Sequence, residues 1–99
     1  MVKLLMGWNI IPGQESEYFE FFTQEFEPAL SDLGLRATDM WLTAYGDWPQ
    51  ILTGIVAEDL ETVRRILASD RWKRLKKRLL ELVTDYQQKI IPASGGFQL

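Results

Sequence analysis

Ninety-nine residues, 46% of them apolar and 12% aromatic, suffice for a single folded domain over 1–99 and argue against disorder. The chain has no histidine and no cysteine, which removes Ser-His-Asp and Cys-His nucleophiles, His/Cys zinc sites and haem held by a histidine or thiolate. Its net charge of −3 is divided: residues 1–50 carry eight acids and two bases, residues 51–99 six acids and nine bases.

No apolar run is long enough to span a bilayer, and Met1-Val2-Lys3-Leu4-Leu5-Met6 is not followed by a signal-peptide cleavage region. A cytoplasmic protein with no membrane partner is the expectation. There is neither a Gly-rich phosphate loop nor an Asp-rich loop for Mg²⁺ or Ca²⁺, so no cofactor and no metal are expected.

The first element is an apolar strand, Val2 to Ile11, stopped by Pro12-Gly13. Glu15 and Glu17 then suit a helix N-terminus, and Tyr18, Phe19, Phe22, Phe26, Leu30 and Leu33 recur at helical spacing to about Leu33. Phe22 and Phe26 are expected in the core. Pro28 should kink or divide this helix, whose last turn closes at Gly34.

Arg36 to Tyr45 and Gln50 to Ala57 read as an antiparallel hairpin across Gly46-Asp47-Trp48-Pro49. Asp59 caps a short helix to about Ala68, and Ser69 or Asp70 caps a longer one. The apolar stripe of that second helix is Trp72, Leu75, Leu79, Leu82, Val83 and Tyr86, with its end at Ile90-Ile91-Pro92. A last short strand is expected within residues 94–99. The order β-α-β-β-α-β defines an α+β, ferredoxin-like fold: a four-stranded antiparallel sheet with helices on one face.

The opposite face of that sheet carries the functional question. Strand one places Leu4, Met6, Trp8 and Ile10 on one side and Lys3, Leu5, Gly7, Asn9 and Ile11 on the other. The later strands are similarly apolar on both sides, with Thr43 and Thr53 among the positions expected in a contact. A wet face should be polar, so the uncovered one is expected to meet a second copy in a homodimer.

The strand ending in Ile11-Pro12-Gly13, the Phe-rich helix after it, Pro28-Ala29-Leu30 leading to Gly34-Leu35, and Ser69-Asp70-Arg71-Trp72 together carry a resemblance. On them the chain resembles the dimeric α/β-barrel superfamily of antibiotic-biosynthesis monooxygenases and stress-responsive barrel proteins. The resemblance covers nearly the whole chain. It implies a homodimer with a pocket, and in some members oxidation of phenols without a cofactor. Members that use a histidine on haem iron, or a His-Asp pair, have no counterpart here.

Asp39, Trp41, Thr43 and Tyr45 share one face of a strand and join polar handles to aromatic surface, as ligand pockets do. Trp8, Trp41 and Thr43 are the candidate ligand contacts. Asp39 is the candidate base, with Asn9 or Tyr45 to stabilise an oxyanion. Against this stand plainer roles: strand tryptophans as core, Asp39 as a surface carboxylate near Arg36, Tyr45 as packing at the hairpin end. Trp72 reads as core.

Two functional readings follow. The first is a homodimer binding a small apolar or aromatic ligand. The alternative is a cofactor-independent monooxygenase or isomerase acting on a phenolic or enolisable substrate. The basic run Arg71, Lys73, Arg74, Lys76, Lys77 and Arg78 lacks any nucleic-acid motif around it and reads as a counterweight to the acidic first helix.

Overall fold

A computed structural model describes the backbone of residues 1–42 and 50–92, and the side chains of 1–35 and 50–92. The elements are β1 (Val2–Ile10), α1 (Glu15–Phe21), a π-helical turn (Phe22–Phe26), α2 (Glu27–Asp32), β2 (Arg36–Leu42), β3 (Ile51–Ala57), α3 (Leu60–Leu67), α4 (Asp70–Leu80) and β4 (Val83–Pro92). Every strand pairing is antiparallel and the strand order is β2-β3-β1-β4, the arrangement of a ferredoxin-like split βαβ.

β1 ends where Pro12 cannot pair and Gly13 turns at φ +91°, with the Glu15 carboxylate accepting the Gly13 N–H at 3.0 Å. The first helix is divided where Pro28 lies. A proline clashes with the carbonyl four residues back, and the chain widens by one residue just before it: the Glu27 N–H reaches Phe22 O, an i→i−5 bond. Gly34, at φ +89°, closes the segment, where a side chain would be strained.

Both later helices start on the caps their sequence advertises. Asp59 accepts the Thr62 N–H at 2.7 Å, and that bond holds its carboxyl below the usual range. Ser69 Oγ accepts the Trp72 N–H at 3.2 Å. Ser69→Ala should cost about 1 kcal/mol, read from the urea midpoint at constant slope. No loss at all would remove the cap from the account.

The helices lie on one face of the sheet. Leu4, Met6, Trp8 and Ile10 of β1 and Ile51, Ile55 and Ala57 of β3 pack with Tyr18, Phe21, Phe22, Phe26, Val63, Ile66, Trp72 and Leu79. α4 runs back along the first helix, with Arg71 Nη2 3.1 Å from Asp32 Oδ2 and the Arg78 guanidinium over the Phe21 ring. Thus the basic and acidic helices are neighbours, joined by a single ion pair among the described residues. Both partners of that pair are at least half-exposed, so it adds little.

The end of the chain departs from the sequence expectation. Helix α4 stops at Leu80, and Val83–Pro92 is the fourth strand, not the continuation of a helix through Tyr86. Leu82 N–H bonds back to Leu79 O, and Leu82 O accepts the Ile11 N–H at 3.0 Å, which hands the chain to the β1 edge. The β-branched pair Val83-Thr84 and the ladder available along all of β1 outweigh helical spacing here. The strand expected within 94–99 lies outside the described residues.

Candidate functional site

Strand alternation and register divide the sheet into two faces whose rows can be followed from strand to strand. On the covered face, Trp8 stands opposite Ile51. It is fully buried, donates its Nε1–H to Tyr18 Oη at 2.9 Å and meets Phe26 edge-on. Tyr86 stacks on its other side at 5.9 Å and 5°, and Lys76 Nζ lies 4.8 Å over the Tyr86 ring. The expectation of Trp8 as a ligand contact is therefore corrected: its surface is spent on core aromatics. Thr53 is 1% exposed on this same face, so it too lies away from the open side. Phe22, Phe26 and Trp72 are core, as their spacing indicated.

Burial pushes the Tyr18 phenol up to about 12, with the Trp8 N–H working weakly the other way. Burial raises Tyr86 as well. A folded pKa above the unfolded one means the native state keeps its proton longer. Stability is thus full below pH 10 and falls as pH rises from about 10 to about 12. Urea midpoints at pH 9, 10 and 11 should decline over the last two; a flat profile would contradict the burial of these phenols.

On the open face, one row runs Asp39–Gly54–Leu5–Lys89 and the next Trp41–Leu52–Gly7–Gln87. A third contains Arg36, Val56, Lys3 and Ile91. Leu5, Leu52, Val56 and Ile91 are half-buried with no helix above them. Over Gly7, where a side chain is missing from the row, lies a recess of about 260 Å³. Its walls include Leu5 and Leu52, and Gln87 and Lys89 stand at its rim.

Asn9 sits beyond this recess on the same face and acts as a clip. Its Oδ1 accepts the Gln50 N–H at 2.8 Å, Gln50 Oε1 accepts the Ile10 N–H at 2.9 Å, and Asn9 Nδ2 donates to Asp85 Oδ2 at 3.1 Å. Asp85 occupies the bulge of β4, at φ +57°, where the β1–β4 register shifts between Gly7 and Asn9. One amide N–H of Asn9 is left to donate outward. The register thus puts Asp39 and Trp41 in the rows of Leu5 and Gly7, while Trp8 belongs to the other face; the side chains of Asp39 and Trp41 lie outside the described residues. Thr43, Tyr45 and Trp48 lie outside the described residues.

Sequence reasoning did not single out Leu52, Gln87 or Lys89. The last two fell in a stretch read as helix. Gly7 did carry a signal, since a glycine inside an apolar strand marks a bulge or a close approach. A larger, half-polar hollow of about 380 Å³ lies at the sheet's other end, between Ser31, Gly34, Val56 and Glu58. Met1, Leu35 and Ala57 also line it, and it shares no row with the sequence candidates. Among the described residues no group of three or more acids could hold a metal ion, and no helix is long and apolar enough to cross a membrane.

This architecture is shared with solved structures. An uncharacterized NIPSNAP domain protein from Burkholderia xenovorans superposes with a TM-score of 0.73 at 13% identity, over 99% of each chain. An antibiotic biosynthesis monooxygenase-like protein from Deinococcus radiodurans gives 0.71 at 14%, over 100% of this chain and 98% of its own. An ethyl tert-butyl ether d (ethd) family protein from Bacillus halodurans gives 0.71 at 14%, over 95% and 100%. No family model and no curated protein matches the sequence. The fold is thus that of NIPSNAP and monooxygenase-like α/β-barrel proteins, and these identities speak to fold alone.

Proposed function

We propose that this chain is a homodimeric, dimeric α/β-barrel protein that binds a small apolar or aromatic ligand between the two open sheet faces. One observation carries the reading: Leu5, Leu52, Val56 and Ile91 form an apolar sheet face with no helix over it, hollowed at Gly7. A second copy is the simplest cover for such a face, because a two-fold axis makes one surface its own complement. A recess of about 260 Å³ is also small for a complete site, drug-sized ligands taking roughly 300–1,000 Å³. Two recesses facing each other fall within that range. Asn9, Trp41 and Asp39 then edge the enclosed space from the rows that the register gives them.

The enzymatic alternative uses Asp39 as base towards a phenolic or enolisable substrate, with the spare Asn9 N–H turned to its oxygen. The monooxygenase-like fold neighbour supports it.

A panel of quinols, flavonoid-like phenols and fatty acids distinguishes the two. Saturable tryptophan quenching, lost in Trp41→Ala and without oxygen uptake, is the expected outcome. Oxygen consumption abolished by Asp39→Asn in an intact dimer would replace binding by catalysis. No quenching by any compound, with the hollow filled by partner side chains, would leave a purely structural dimer.

A further inference from the structure

We infer that the ligand of the open face is an anion: an amphipathic molecule whose apolar body lies over Gly7 and Leu52 and whose carboxylate meets Lys89. The inference rests on the binding reading above and adds the charge of what is bound.

Lys89 stands opposite Leu5 in the β1–β4 ladder and borders the recess directly. It makes no ion pair among the described residues. The acids of this face are Asp85, four residues along β4 and bonded by the Asn9 amide, and Asp39, at the far end of the Leu5 row beyond Gly54. Gln87, two residues from Lys89 on the same side of the strand, adds an amide donor to the same rim.

Covering the face with a second copy makes the charge of Lys89 decisive. An ammonium left exposed in water costs nothing, but one enclosed by a second sheet needs an anion or must lose its proton. The two-fold axis brings a second Lys89 with the same requirement. A ligand carboxylate supplies the counter-charge and accepts from Lys89 and Gln87, while its carbon skeleton fills the hollow that Gly7 leaves. A neutral ligand of the same shape fills the hollow and leaves each Lys89 without a carboxylate beside it in its own protomer.

The test compares acid and alcohol of one skeleton: 2-naphthoate against 2-naphthalenemethanol, and dodecanoate against dodecanol. Binding is followed by amide shifts of Gly7 and Leu52 in ¹⁵N-labelled dimer. Each acid should bind about tenfold more tightly than its alcohol, the ratio expected for one charge-assisted hydrogen bond. In Lys89→Gln the ratio should fall to about one, through loss of the acid's advantage. Equal affinities in the unmodified protein would overturn the anionic ligand and leave the apolar binding site standing. Shifts for neither member of either pair, in a dimer shown intact by light scattering, would overturn both.

Discussion

Trp8→Ala should destabilise the fold by about 3–5 kcal/mol, the usual range for deleting a large buried aromatic. Trp8 is fully enclosed, so removing the indole leaves a cavity that Phe26, Tyr18 and Tyr86 cannot all collapse into. It also strands the Tyr18 hydroxyl without its 2.9 Å donor. Trp8→Phe separates these contributions. It keeps much of the ring contact and loses the donor, at about 1–3 kcal/mol for a buried group left unpaired. Urea unfolding at one fixed protomer concentration measures both, since the stability of the proposed dimer would depend on concentration. A Trp8→Ala loss below about 1 kcal/mol would mean Trp8 is not the keystone of the covered face.

Leu52→Arg should raise the dissociation constant of the proposed dimer by about 100-fold or more, because each copy would then bring an unpaired charge onto the covered face. Leu52 stands in the centre of the open face, between Trp41 on one side and Gly7 on the other. Its side chain is half-buried and touches no helix layer, so the monomer should fold as before. Thr53→Arg, one residue away, acts differently: Thr53 is buried against the helices, and the charge would unfold the chain. Sedimentation with circular dichroism on the pair therefore reads the face assignment directly. Retention of the dimer in a folded Leu52→Arg protein would place the interface elsewhere.

Much of the fold was legible because local signals agreed with the tertiary outcome. Pro12-Gly13 closed β1, Asp59 and Ser69 announced α3 and α4, and Gly34 marked the close of the first helical segment. Pro28 announced a disturbance, although not its form. The extra residue of the π-helical turn depends on where the Phe22 and Phe26 rings must sit in the core, which spacing alone does not state. The end of α4 was hidden for a different reason. No glycine, asparagine or proline follows Leu80 until Pro92, and Leu79, Leu82, Val83 and Tyr86 happen to keep helical spacing. Only the free edge of β1 turns that stretch into a strand, and an edge is not a local property.

The candidate site was legible in part for the same cause. Period-two alternation set Asn9 apart from Trp8, but with both sheet faces apolar it could not say which one the helices cover. That choice is made by packing: Trp8 needs Tyr18 as acceptor and Phe26 as neighbour, which draws its whole row inward. Once Trp8 is inside, Asn9, Gly7 and Leu5 must face out. Lys89 and Gln87 join them only because β4 exists.

A second copy is proposed to cover the face bearing Leu5, Leu52 and Val56. Isotope-filtered NOE spectra on a mixture of labelled and unlabelled protein, at micromolar to millimolar concentration, test it most directly. Intermolecular NOEs from the methyls of Leu5, Leu52 and Val56, absent in Leu52→Arg, are the predicted result. A monomer throughout that range, or intermolecular NOEs confined to the outer surfaces of α1 and α4, would contradict it.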